Sequence, residues 1–135
     1  MKTYLFACIH NAGRSQMAAA LFNALCEPAD GRALSAGTNP GTRVHPEVVE
    51  ALRELGIDVA EQTPQRLTAE LCAGIDMLIT MGCGDACPVV PGVRRDDWPL
   101  PDPKGQPIET VRLIRDDIVR RVQALLKAEG LSARS

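Results

Sequence analysis

Aromatic side chains are scarce in this 135-residue chain: one Trp, one Tyr and two Phe, or 3% of the whole. Little is left with which to grip a large aromatic ligand. Long apolar runs are missing as well. Nothing approaches the ~20 residues needed to span a bilayer. The N-terminal run from Tyr4 to Ile9 is shorter than a signal-peptide core of roughly 7–15 residues and is soon interrupted by Asn11, Gly13 and Arg14. A cytoplasmic protein without membrane contact is therefore expected. No block of like charge occurs among 15 basic and 17 acidic residues, which sum to a formal charge of −2. That balance gives no reason to expect nucleic acid or an anionic membrane as partner. Neither G-x-G-x-x-G nor G-x-x-x-x-G-K-[ST] is present, so the common nucleotide loops are excluded. There is no internal repeat and no low-complexity tract.

What is there fits one domain, residues 1–135. "TYLFAC", residues 3–8, reads as a strand covered on both faces. Ser15 is a good N-cap for a helix carrying Met17, Leu21 and Leu25. "RALSAGT", residues 32–38, reads as a second strand. Pro46 opens a helix with Val49, Leu52 and Leu55 on one face and Gly56 at C′. A shorter helix is expected over "TPQRLTAELCAG", capped by Thr63, and a third strand over residues 76–82. The stretch from Cys83 to Pro107 reads as irregular. A final helix aligns Ile108, Val111, Ile114, Ile118, Val122 and Leu125 in one stripe, with Asp116–Arg120 and Asp117–Arg121 paired on the solvated face. The alternation implies a parallel sheet wrapped on both sides, with any ligand beyond the carboxyl ends of its strands. Cys8 and Cys83 both fall at such ends.

Five residues separate Cys8 from Arg14. A loop of that length can curl so that its amides point inward, forming a nest for an anion. The start of the next helix adds its positive end, and Arg14 offers a planar fork for two oxygens of a tetrahedral oxyanion. The same field favours a thiolate, so Cys8 becomes a nucleophile beneath the bound anion. The plain alternative is a buried strand-end cysteine followed by a surface arginine.

Cys8-x5-Arg14-Ser15 on a strand–loop–helix, with Asp102-Pro103 far downstream, resembles the low-molecular-weight protein tyrosine phosphatase superfamily. Within it, "NAGRSQMA", "SAGT" and "MGCGDACP" followed by a Trp and an Asp-Pro are similar to the thioredoxin-coupled arsenate reductases. The resemblance runs from Lys2 to the last helix. It implies an α/β fold: a single-domain, four-stranded parallel sheet flanked by helices on both faces, with flavodoxin-like topology. It further implies that Cys8 is the nucleophile and Arg14 the oxyanion clamp. The loop residues Ile9, His10, Asn11, Ala12 and Gly13 surround the substrate, and Asn11 holds the loop's shape. Ser15 donates a hydrogen bond to the Cys8 thiolate, and Asp102 is the general acid.

A phosphatase and an arsenate reductase share the first step, thiolate attack on a tetrahedral oxyanion, and then diverge. Reduction needs a second thiol within disulfide reach, a Cα–Cα distance of roughly 4.4–6.8 Å. "MGCGDACPVVPG" supplies Cys83 and Cys87. By the resemblance, Cys83 attacks the arsenic adduct and Cys87 then displaces Cys8, leaving a Cys83–Cys87 disulfide for thioredoxin to reduce. Arsenate is the implied substrate, with phosphate or sulfate able to occupy the loop. No cofactor is expected to be bound, because the electrons come from thioredoxin, or alternatively from a small thiol with a glutaredoxin-like partner. A monomer is expected.

Other readings stay open. One is a low-molecular-weight phosphatase whose extra cysteines protect the nucleophile, and another is a non-enzymatic redox or metal sensor. Cys83-x3-Cys87 could be half of a zinc site, but no second C-x-x-C or H-x3–5-H completes it and His10 and His45 are isolated, so no metal is expected. Cys26 and Cys72 read as packed thiols, and Trp98 as packing near the acid loop. The chain also departs from its relatives. The relay cysteines are closer together than in the best-known members. Ala19 and Gln65 stand where some relatives hold potassium with acidic side chains, although Asn11 and Ser35 remain, and no strong potassium site is expected. Lys104 and Gly105 follow the Asp-Pro where phosphatases of this fold place aromatics, which favours a small, polar pocket.

Overall fold

The structure is a computed structural model that describes residues 1–82 and 90–134. Its first strand, β1 (Lys2–Cys8), is buried from Thr3 onward. Successive side chains of a strand point to opposite faces, and both faces here are apolar. Tyr4, Phe6 and Cys8 enter a large core with side chains from α1 (Arg14–Leu25), α2 (Pro46–Arg53) and α4 (Ile108–Ala128). Leu5 and Ala7 enter a smaller core on the other face, which includes Cys72 of α3 (Ala69–Cys72). All four aromatic residues are used in the larger core. Phe22 lies 5.0 Å from Tyr4 and 6.2 Å from Phe6, and Phe6 lies 5.3 Å from Trp98, centroid to centroid.

β2 (Gly31–Gly37), β3 (Met77–Thr80) and β4 (Arg94–Asp97) complete a four-stranded sheet in the order β2-β1-β3-β4. Every pairing is parallel, and Cys8 stands opposite Gly37 while Ala7 stands opposite Thr80. The carboxyl ends therefore share one edge. The chain passes from β2 over β1 to β3, so Cys8 occupies the point where the strand order reverses, the usual ligand site of such sheets.

Several local expectations are corrected. Ser15 does not cap α1. Gly13 occupies the N-cap position, α1 begins at Arg14, and the Ser15 hydroxyl turns to the sulfur of Cys8. In α2 the buried residues are Val48, Ala51 and Leu52, whereas Leu55 is 47% exposed. The third helix is shorter than its pattern suggests, with Thr68 rather than Thr63 as cap. Residues 65–67 are drawn into extended pairing with the end of β2: Gly37 N–H donates to Gln65 O, and Leu67 N–H donates to Gly37 O. β4 lies inside the stretch read as irregular. Its sequence, Arg-Arg-Asp-Asp, is exposed throughout and carries no apolar alternation, but charge suits a sheet edge that must not pair further.

The stripe of α4 is as read, with Val111, Ile114, Ile118, Val122 and Leu125 buried and Ile108 packed against the core. Asp117–Arg121 pairs at 3.3 Å, but Asp116 pairs with Arg115 instead of Arg120, at 2.9 Å. Cys26 and Cys72 are buried as expected, and burial pushes both thiols up. Among the described residues no helix is long and apolar enough to cross a membrane.

Candidate active site

The chain between Cys8 and α1 is turned inside out by its neighbours. The carbonyls of Cys8, Ile9, His10 and Ala12 accept from the amides of Thr38, Asn39, Gly41 and His45 at 3.1, 2.8, 2.9 and 2.9 Å. With those oxygens fastened to the segment after β2, the amides of the ring are left to the interior, as an anion nest requires. α1 begins here with no side-chain cap and no acidic residue in its first turn, so its positive end is open to an anion.

Cys8 lies at the base, 2% exposed. The Asn11 amide donates to its sulfur at 3.3 Å, and Ser15 Oγ is 2.8 Å from it. A network of side-chain amides stands behind that pair. Asn11 Oδ1 accepts from the Gln65 backbone amide at 2.9 Å and from Gln16 Nε2 at 3.2 Å. A backbone N–H can only donate, so Oδ1 must face it, and Asn11 Nδ2 then donates to Ser15 Oγ at 2.7 Å. That leaves the Ser15 proton available to a Cys8 thiolate. Asn11 itself has φ 51°, the left-handed region that Asn tolerates better than most residues.

Arg14 is 6% exposed. Its Nη1 donates to Leu100 O at 3.1 Å, and its Nη2 stands 3.8 Å from Asp102 Oδ2. Its Nε is buried without a partner among the described residues. Nη1 is thus occupied, while Nε and Nη2 remain for a planar two-point contact with an oxyanion.

Asp102 is half exposed, and its Oδ1 accepts from the Lys104 amide at 3.0 Å. The loop that bears it rests on the start of α1, since a Cβ on Gly13 would lie 2.6 Å from Pro103 Cγ. His10 and His45 sit at the rim. His10 Nδ1 contacts Asn39 O at 3.1 Å, and partial burial pushes the His45 pKa down while the Asp102 charge pulls it up.

Cys8, Asn11, Arg14, Ser15 and Asp102 therefore converge on one cradle bounded by Ile9, His10, Ala12 and Gly13. Cys83 and Cys87 lie outside the described residues. Ala19, Ser35 and Gln65 line a cavity of about 460 Å³ behind the cradle, where Gln65 Nε2 donates to Ser35 O at 2.9 Å. No group of three or more His, Cys, Asp or Glu able to hold a metal occurs among the described residues. Sequence reasoning missed Gln16 and Leu100, and the bond from the Gln65 amide to Asn11. Gln65 and Leu100 act through backbone groups, which leave no trace in residue type.

Comparison with known proteins finds arsenate reductases of similar fold. A glutaredoxin arsenate reductase of Synechocystis sp. is 34% identical over 132 residues, 93% of this chain and 97% of its own. A thioredoxin-dependent arsenate reductase of Corynebacterium glutamicum has 38% identity and a TM-score of 0.80 over 95% of this chain, which spans only 61% of that protein. An arsenate reductase of Archaeoglobus fulgidus has 32% identity and a TM-score of 0.78, covering 92% of this chain and 98% of its own. The family model of the low molecular weight phosphotyrosine protein phosphatases matches residues 3–133, and the chain belongs to that family.

Proposed function

We propose that this protein reduces arsenate to arsenite, with Cys8 as nucleophile and Cys83 and Cys87 as the thiols that remove its electrons. One observation carries the reading: a buried sulfur lies within hydrogen-bond distance of the Asn11 amide and the Ser15 hydroxyl at the floor of an amide-lined ring, beside an arginine whose Nε is buried without a partner among the described residues. That is a site for attack on a small tetrahedral oxyanion. The similarity to arsenate reductases supports arsenate as that oxyanion. The four aromatics, all placed in the core, leave the described part of the rim without a grip for a phenyl ring.

In the proposed sequence the Cys8 thiolate attacks pentavalent arsenic, and Asp102 gives its proton to the departing oxygen, which leaves as water. The Cys83 thiolate attacks Cys8 Sγ. A Cys8–Cys83 disulfide forms, the sulfur–arsenic bond breaks, and arsenic leaves as arsenite with two electrons. Cys87 attacks Cys83, frees the Cys8 thiolate and closes a Cys83–Cys87 disulfide, which a thioredoxin dithiol reduces by exchange. In sequence, Cys83 directly follows Gly82, which lies against Arg14. The protein needs no bound cofactor for this sequence and works as a cytoplasmic monomer.

The test is a coupled assay with arsenate, thioredoxin, thioredoxin reductase and NADPH. Wild-type turnover, lost in Cys83→Ser and in Cys87→Ser, is the expected result. Turnover that persists in both variants overturns the relay. Hydrolysis of a small aryl phosphate without any arsenate reduction assigns the site to a phosphatase instead. Replacing thioredoxin by glutathione and glutaredoxin identifies the reductant.

A further inference from the structure

The Arg14 guanidinium is held at Nη1 by two neighbours. Leu100 O takes a hydrogen bond from Nη1. Gly82 lies against the same atom: a Cβ at position 82 would stand 2.2 Å from Nη1, 3.2 Å from Cζ and 3.6 Å from Nη2. Gly82 also has φ 92°, a conformation that L side chains avoid. A glycine that served only as a turn after β3 would need the second property and not the first.

We propose that Gly82 is a positioning residue for the oxyanion clamp, its bare backbone forming the seat that holds the Arg14 guanidinium with Nε and Nη2 available to the substrate. The proposal rests on the reading of residues 8–14 as an oxyanion site. Guanidinium is rigid and planar, so its two-point contact with an oxyanion depends on where the plane lies. Arg14 is buried, and a methyl group on the seat has no solvent into which to push it. The displacement falls on Nη1 first, the atom bonded to Leu100 O, and so releases the arginine from its second anchor as well. Although Gly82 immediately precedes Cys83, its contribution is to binding, before any sulfur transfer.

Two variants separate the seat from the turn. Asn accepts a positive φ more readily than Ala but carries the same Cβ. If the seat is what matters, Gly82→Ala and Gly82→Asn both weaken the binding of inorganic phosphate, read by calorimetry, at least ten-fold, on the order expected for a displaced charged hydrogen-bond partner. Binding within about two-fold of wild type in either folded variant overturns the proposal, since contacting residues should couple more strongly than that. A double-mutant cycle on urea unfolding without ligand gives a second readout. Gly82→Ala should lower the midpoint clearly in wild type and much less in Arg14→Ala, where the obstructed group is gone. Equal losses in both backgrounds overturn the seat. If Gly82→Ala alone does not fold, recovery of folding in the double variant supports it, and failure of both overturns it. Absence of Arg14-dependent phosphate binding in the wild-type protein overturns the underlying oxyanion reading instead.

Discussion

The hydroxyl of Ser15 has one proton to give, and the amide of Asn11 does not compete for it. Because Gln65 N–H fixes Asn11 Oδ1, Asn11 Nδ2 donates to Ser15 Oγ, and the Ser15 proton is available to a Cys8 thiolate 2.8 Å away. A hydrogen bond to a charged group contributes about 1.5–3 kcal/mol. Ser15→Ala should therefore slow iodoacetamide alkylation of Cys8 near neutral pH, and arsenate turnover with it, by roughly 10- to 100-fold, with arsenate KM little changed. Asp102→Asn should act differently. It leaves Cys8 alkylation alone and lowers turnover by about 10²–10⁴-fold, the range for loss of a general acid, and the fall should be least for substrates with good leaving groups. The bystander thiols supply a control for both experiments. Burial covers Cys26 and Cys72 and pushes both upward, so peptide mapping after brief labelling should find them unmodified in native protein.

Helix α4 is the element on which the rest is assembled, and its sequence announced it. A stripe repeated over 21 residues is a strong signal because the larger core needs every position of it. Ile118, fully buried at its centre, should cost about 2–5 kcal/mol when changed to Ala, measured by urea unfolding. Polar residues at the margins of the helix tie it to its neighbours. Arg112 holds Glu54 through both carboxylate oxygens, Arg115 bonds Glu54 and Ala51 O, and Arg94 of β4 grips Glu129 beyond the helix end. These arginines hold both carboxyls at about 2, below the ordinary 4.5. A depressed carboxyl stabilises the fold above its unfolded pKa, and that contribution is lost as the proton binds. Stability should therefore decline as pH falls from about 4.5 toward 2, and Glu54→Gln with Glu129→Gln should flatten that part of the curve. The elements that sequence failed to place share a cause. β4 has no apolar residue to betray it, and residues 63–67 carry a helix opening that pairing with Gly37 overrides. In both cases a partner strand supplies the hydrogen bonds that set the conformation, and nothing in the local residue pattern records the partner.

At the scale of the whole molecule, the cradle is a product of long-range assembly. Cys8 and Arg14 are six positions apart, and their spacing made the loop legible, but the groups that shape it come from residues 38–45, 65, 82 and 100. An unfolded chain has none of these contacts and no site. Whatever binds the cradle must then stabilise the entire fold by RT ln(1 + [L]/Kd), about 2.7 kcal/mol at one hundred times Kd. For a domain of this size that corresponds to a rise in the unfolding midpoint of roughly 5–15 °C. Differential scanning calorimetry with arsenate or phosphate should record that rise in wild type, growing with the logarithm of ligand concentration. Arg14→Ala removes the clamp and should abolish the rise at the same concentrations. Glu54→Gln, on the remote α2–α4 contact, should lower the starting midpoint yet keep the ligand-induced increment. An increment of equal size in the Arg14 variant would mean that the anion binds elsewhere, and the assignment of residues 8–14 as the oxyanion cradle would fall with it.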